Sequence, residues 1–206
     1  MNAMTDPTFI LASASPRRKA LLEDLGFSFT VYPSYLPENF LTGETPRDHV
    51  LRLSLEKSRF VARRHPGMWV LGADTVVVAS GEILGKPETP GEARDMLRKL
   101  AGRAHEVITG FALIRDGEPP AASRAVTSRV VFRDMAADEM AWYARTPEPY
   151  DKAGGYAVQG LAAAFIEEIH GSYTNVVGLP LCEVVSALKA VGAVRFFQGG
   201  DNEIGR

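Results

Sequence analysis

Phe9 to Leu25 reads FILASASPRRKALLEDL, and the stretch decides the fold class because its hydrophobic period changes in the middle. Phe9, Ile10 and Leu11 form a short unbroken apolar run, the signature of a buried strand. Ser15 then stands where a helix N-cap stands. Pro16 suits the first helical position, where the missing N–H has no intrahelical partner to lose. Strand, tight turn and helix therefore follow one another directly. The helix opens with Arg17, Arg18 and Lys19, cations at the end where the helix dipole favours acids. Free amide groups, the positive end of the dipole and guanidinium forks together suit a phosphate. A solvated basic face on an ordinary helix is the competing reading of the same residues.

Working outward, Gly26 ends that helix and Phe27 to Tyr32 reads as a second strand. Pro33, Pro37 and Gly43 mark a loop that carries Glu38. Thr45 and Pro46 repeat the cap-then-proline signal, with Asp48 placed as the reciprocal acid. They start a helix to about Arg64, with Val50, Leu51, Leu55 and Phe60 expected to face inward. Lys57 lies on it among Arg52, Arg59, Arg63 and Arg64, with nothing local to single it out. Trp69 to Leu71 then leads through Gly72 and Ala73 to Asp74 and Thr75, and on to Val76 to Val78. An acid inside an apolar strand costs on the order of several kcal/mol unless it meets a cation, a metal or donors, so Asp74 demands a partner. A strand break with nearby backbone donors is the other way to satisfy it.

Ser80 and Gly81 read as a hairpin turn that returns Ile83 and Leu84 and brings Lys86 back toward Asp74. Thr89, Pro90 and Glu92 open a third helix that ends at Gly102, leaving Arg103 and His105 in the loop after it. Val107 to Ile114 and Ala125 to Phe132 read as an antiparallel pair turned at Asp116 and Gly117. Asp138 to Arg145 is a short helix with Trp142 and Tyr143 as core or contact residues. Pro147 to Gly160, PEPYDKAGGYAVQG, is a glycine-rich loop holding Asp151, Lys152 and Gln159. The apolar run Leu161 to Ile166 continues into a strand. Gly171 to Pro180 makes a turn before a last helix, Leu181 to Val191.

The 206 residues suffice for one large domain or two small ones without staples. A hydrophobic share of 46% and a charged share of 23% are those of an ordinary soluble globular protein. A net charge of −2 argues against an extended nucleic-acid surface, so any anion site is local. The single cysteine, Cys182, has no partner for an internal bridge and sits among Leu181, Val184, Val185 and Leu188, a pattern expected of a buried structural thiol. No run of about 18 apolar residues and no leader pattern is present, so a reducing cytoplasm is expected. His49, His65, His105 and His170 are scattered, and there is no zinc spacing, P-loop or dinucleotide glycine pattern.

SASPRR, GADTVV, LGKP, HEVITG, DKAGGYAVQG and GSYTNVVGLPL occur in that order between Phe9 and Val191. Each is short; together, at these separations, they resemble the Maf family of nucleoside triphosphate pyrophosphatases. The resemblance implies hydrolysis of a nucleoside triphosphate to monophosphate and pyrophosphate with a divalent metal, magnesium or manganese. It implies a mixed α/β fold similar to the inosine triphosphate pyrophosphatases, with a largely antiparallel elongated sheet, flanking helices and two lobes around a cleft. A single domain over 7–197 is expected between flexible termini at 1–6 and 198–206, the tail beyond Phe197 being polar and Gly-rich. From the resemblance a cytoplasmic protein follows, often a homodimer, working on a free nucleotide and not on nucleic acid or a membrane.

Position by position, Asp74 matches the family's proton acceptor and, with Glu38, its metal-binding acids. Arg18, Lys57 and Lys86 match phosphate-facing cations, and Ser13 and Ser15 fall in the substrate-binding SASPRR motif. Many members have Asp directly before Glu38, where this chain has Pro37. Arg17, Thr75 and Gln159 match the Arg, Thr and Gln typical of the branch acting on dTTP and UTP, and by extension on modified pyrimidine nucleotides. The branch associated with methylated guanine nucleotides tends to Trp, Gln and Glu. An amide and a guanidinium can satisfy the edge of uracil or thymine, where an unmatched buried group costs about 1–3 kcal/mol.

On this reading Asp74 and Glu38 hold Mg²⁺ or Mn²⁺, and Asp74 positions or deprotonates the attacking water. Arg18, Lys57 and Lys86 stabilise the transition-state charge and the leaving pyrophosphate. Three rivals stand beside it. They are a broader phosphohydrolase using the same cleft, an interaction protein regulating septum formation in cell division, and a nucleic-acid binder, the last disfavoured by charge.

Overall fold

The computed structural model describes residues 8–116 and 119–195. In chain order these form β1 (Phe9–Leu11), α1 (Pro16–Glu23), β2 (Phe29–Val31), α2 (Pro46–Ala62), β3 (Trp69–Ala79), β4 (Glu82–Leu84) and α3 (Pro90–Leu100). There follow β5 (Ala104–Ile114), β6 (Ala122–Phe132), α4 (Ala137–Tyr143), β7 (Ile166–His170), α5 (Tyr173–Val177) and α6 (Leu181–Ala190). The strands make one seven-stranded sheet in the order β2-β1-β3-β5-β6-β7, with β4 paired to β3. The two pairings of β1, with β2 and with β3, are parallel; every other pairing among the described residues is antiparallel. The fold is a mixed α/β fold with a largely antiparallel sheet and flanking helices.

One detail of the pairing positions everything that follows. β5 covers one edge of β3 from Val70 to Val78. β1, at Trp69 to Leu71, and β4, at Val77 to Ala79, therefore share the other edge. Between them lies a window with no strand alongside, and Asp74 and Thr75 sit in it. Side chains alternate across a strand. Leu71 and Ala73 join one apolar cluster with Phe9, Leu22, Phe111 and Leu188, while Val77 and Ala79 join a second with Leu97, Leu100, Phe132 and Tyr143. Thr75 falls between these two clusters on one face of the sheet. On the other face Asp74 falls between Val70 and Val76, which belong to two smaller clusters under α2.

Helix α2 lies directly on the sheet because two glycines let it. A Cβ on Gly72 would overlap the Ser54 carbonyl, and one on Gly110 the Val50 carbonyl. The helix is capped as the sequence indicates: Thr45 Oγ1 accepts the Asp48 N–H at 3.1 Å, and Thr89 Oγ1 does the same for Glu92 on α3 at 3.2 Å. Ser80 and Gly81, with φ of 52° and 80°, are both left-handed, as the tight hairpin between β3 and β4 requires.

β3 runs unbroken through Asp74, so the reading of an acid inside a strand holds and the strand break does not. The structure departs from several other sequence expectations. The buried face of α2 is His49, Val50, Leu53, Ser54, Lys57, Ser58 and Val61, whereas Leu51, Leu55 and Phe60 are half-buried at its flank. His105 lies in β5 and is buried, not in a loop. β6 begins three residues early, at Ala122. Leu161–Phe165 is a tight 3-10 turn, and the strand starts only at Ile166. Trp142 is half exposed while its neighbour Tyr143 is buried. Cys182 is exposed: it sits two residues before buried Val184, on the opposite side of α6. Gly117 of the β5–β6 turn and both terminal segments, 1–6 and 198–206, lie outside the described residues.

Gly110→Ala is expected to lower stability by about 1–3 kcal/mol, the usual scale for overpacking, measured by urea denaturation. His105 gives a pH test. Its Nε2 lies 2.7 Å from the Tyr156 hydroxyl, its Nδ1 has no partner among the described residues, and burial pulls its pKa down to about 4. Because the unfolded chain binds that proton near pH 6.5, stability is full above 6.5 and falls as pH drops toward 4. Between pH 7 and pH 5 the wild type should lose about 2 kcal/mol that His105→Gln does not lose, as denaturation at the two pH values would show.

Candidate active site

The window in the edge of β3 opens into a cleft of about 350 Å³. Its floor on the α2 side is an ion cluster. Lys57 is 6% exposed, and its Nζ donates at 2.6 Å both to Glu38 Oε1 and to Asp74 Oδ1. Lys86 Nζ stands 3.6 Å from Glu38 Oε2 and is more than half exposed. Two carboxylates and two ammoniums thus balance one another, and the demand of the buried Asp74 is met by a lysine one helix away. Burial pushes the Glu38 pKa up, but Lys57, then Lys86 and Arg18, outweigh it and hold the carboxyl below its ordinary range.

A second layer supports Asp74. His49 Nε2 is 4.0 Å from Asp74 Oδ2, and His49 Nδ1 is 2.9 Å from Glu44 Oε2. Arg52 grips Glu44 with Nε and Nη2 at 2.6 and 2.8 Å, which holds the Glu44 pKa down at about 2. Phe40 stacks on the His49 ring, with centroids 3.7 Å apart. Sequence reasoning missed this layer. The signal available was the spacing of His49, Leu53 and Lys57, four residues apart and so on one helix face.

The opposite wall is organised by Arg18. Its Nε donates to Gly178 O at 2.7 Å, Nη1 to Ser13 Oγ at 3.1 Å and to Ala73 O at 2.9 Å, and Nη2 to Thr75 Oγ1 at 2.9 Å. A guanidinium has five N–H donors, so only one is left for a ligand. Desolvation lowers the Arg18 pKa, opposed by Asp74 and Glu38. Gly178 adopts a φ of 123°, a conformation open to glycine, in turning beneath Arg18. Ser13 Oγ also accepts the Ser15 N–H at 3.2 Å, and Ser15 Oγ accepts the Arg18 N–H at 3.4 Å as helix cap. Both hydroxyl hydrogens therefore remain to be donated into the cleft. Across the mouth, Arg17 Nη1 meets Asp151 Oδ2 at 3.3 Å, and Asp151 is also bonded by Lys152.

Ser13, Ser15, Arg17, Arg18, Glu38, Lys57, Asp74, Thr75, Lys86 and Gln159, named from the sequence, all line this one cleft. No group of three or more His, Cys, Asp or Glu side chains among the described residues is placed to hold a metal. Glu38 and Asp74 can offer one oxygen each. That donor set suits Mg²⁺, which commonly takes one or two carboxylates and completes its shell from phosphate oxygens and water.

A family model described as "Maf-like protein" matches residues 8–191. The chain is 55% identical over 193 residues to a protein of Syntrophus aciditrophicus named dTTP/UTP pyrophosphatase, covering 94% of each chain. It is 50% identical over 185 residues to one of the same name from Geotalea uraniireducens, covering 90% of this chain and 95% of the relative. A third so named, from Syntrophotalea carbinolica, is 50% identical over 194 residues, covering 93% and 88%. A solved dITP/XTP pyrophosphatase from Mycobacterium abscessus aligns with 63% of this chain and 76% of its own at 17% identity, with a TM-score of 0.38, too loose a likeness to bear on the fold.

Lys57→Met is expected to destabilise the protein by about 3 kcal/mol at neutral pH, because it leaves Glu38 and buried Asp74 facing each other without their cation. Denaturation of the variant beside wild type measures it, and an unchanged midpoint would mean that the carboxylates are stabilised by other groups.

Proposed function

The chain belongs to the Maf-like protein family, and on that premise we propose that it hydrolyses dTTP and UTP to the monophosphate and pyrophosphate. The observation that carries the reading is the meeting, in one cleft, of a balanced ion cluster on one face of β3 and an Arg18–Thr75 wall on the other. Relatives at about half identity over nearly the whole chain bear the name dTTP/UTP pyrophosphatase, which supports it.

The triphosphate lies along the cleft with its anionic end over Lys57 and Lys86 and its base toward Arg17, Thr75 and Gln159. Lys57 already stands between two carboxylates and turns to phosphate oxygens when a polyanion arrives, since opposite charge is what it is placed to meet. Ser13 and Ser15 donate their hydroxyl hydrogens to the same oxygens. Asp74, its Oδ1 bonded to Lys57, orients a water and takes its proton as the water oxygen bonds to the α-phosphorus. The bond to the bridging oxygen breaks and its electrons leave with pyrophosphate, whose charge Lys86 receives.

Glu38 and Asp74 would hold Mg²⁺ or Mn²⁺ together with the phosphates, the ion supplying charge neutralisation of the reacting phosphoryl group. The same reading makes the protein a cytoplasmic homodimer acting on free nucleotides. No helix among the described residues is long and apolar enough to cross a membrane.

Incubation of the protein with dTTP or UTP and Mg²⁺ or Mn²⁺ should release pyrophosphate and the nucleoside monophosphate. Orthophosphate with a diphosphate would point instead to a broader phosphohydrolase. Asp74→Asn should lower kcat at least about a hundredfold, the scale of losing one preorganised charged group, with circular dichroism unchanged. Retention of most activity would remove Asp74 from the reaction.

A further inference from the structure

Behind the Arg18 wall a file of hydroxyl groups runs into the protein. We infer that Thr109, anchored on Asn175, is a positioning residue for base selection. It fixes the direction of the Thr75 hydroxyl so that the cleft shows the base an acceptor beside the last free N–H of Arg18. The inference rests on the pyrimidine triphosphate reading above and deepens it.

Thr75 and Thr109 face each other in register on β3 and β5, their Oγ1 atoms 2.9 Å apart. Taken alone, either hydroxyl could donate to the other. Thr109 is wholly buried, and its single hydroxyl hydrogen goes to the main-chain carbonyl of Asn175 at 3.1 Å. The hydrogen between the two threonines is therefore that of Thr75. Gly178 O, at 3.5 Å from Thr75 Oγ1, is the poorer alternative acceptor. Thr75 Oγ1 also accepts from Arg18 Nη2, so it keeps one lone pair and no hydrogen for a ligand.

The main chain at Asn175 is held in place by its own side chain and N–H. The residue is wholly buried, its Nδ2 donates to Val107 O at 3.0 Å and to Ser128 Oγ at 2.9 Å, and its backbone N–H donates to Ser172 Oγ at 3.2 Å. The direction of every hydrogen from Arg18 to Asn175 is thus set from inside, at residues that touch no ligand.

An acceptor beside a donor fits the imide edge of uracil or thymine, where N3–H adjoins a carbonyl. Cytosine presents the reverse, a lone pair on N3 beside an amino group, and mismatches both. Thr109→Val keeps the side-chain shape but removes the acceptor, freeing the Thr75 hydrogen to swing toward the cleft and meet cytosine N3.

The test is the steady-state kinetics of UTP and CTP with wild type, Thr109→Val and Thr109→Ser, pyrophosphate being measured and circular dichroism recording the fold. Wild type should favour UTP in kcat/KM. Thr109→Val should lower the UTP-to-CTP ratio about tenfold, the scale of one hydrogen bond, by raising KM for UTP with kcat held within about twofold. Thr109→Ser should restore the wild-type ratio. A folded Thr109→Val with the wild-type ratio, or a serine variant that fails to restore it, overturns the inference. Should the valine variant not fold, wild type decides alone: CTP taken as readily as UTP overturns it too. Absence of pyrophosphate from both dTTP and UTP with wild type is a different result, the failure of the functional reading itself.

Discussion

A buried ammonium shared between two carboxylates is the constraint from which the rest of the architecture can be understood. Lys57 reaches Asp74 only because α2 lies against the bare backbone of β3 and β5, and it does so because positions 72 and 110 have no side chain. Asp74 can be a charged group inside an apolar strand only because Lys57 is there. Burying such an ensemble yields little net stability compared with apolar residues of the same shape, so its retention makes sense as chemistry held ready. The layer of Glu44, His49 and Arg52 behind it extends the same logic, each polar group meeting a fixed partner.

The two faces of β3 divide the labour. Because consecutive side chains point to opposite sides, Asp74 and Thr75 would normally belong to separate environments. They share a cleft because the strand edge is open between β1 and β4, letting groups from both faces converge around it. On the proposed function, reaction chemistry grows from the α2 side, and recognition from the side of α1 and the turn at Gly178. Arg18, which at the sequence level looked like a ligand for phosphate, is for the most part a brace that ties α1, β3 and that turn together.

Much of this was legible in the chain. The cap-then-proline signals at Ser15, Thr45 and Thr89 each mark a real helix start, since capping is a local interaction written in neighbouring residues. The need of Asp74 for a partner was legible from desolvation alone. Its identity was not, because Lys57 is distinguished by which helix face is buried, and two glycines on distant strands decide that. Asp74 proved compatible with an unbroken strand for the same reason. Cys182 was misplaced because apolar neighbours in sequence do not say which of two helix faces turns inward. The direction of hydrogens through Thr109 and Asn175 has no sequence signature at all, since it arises from pairing across strands and a turn 66 residues further on.

An interrupted sheet edge is ordinarily a hazard, because unpaired strand backbone is a template for the edge of another molecule. Here the interruption is too short for a foreign strand to dock, and the Arg18 guanidinium already sits on the Ala73 carbonyl where such a strand would have to begin. The guanidinium that lines this wall of the cleft therefore also caps a strand-edge carbonyl that would otherwise be open to pairing.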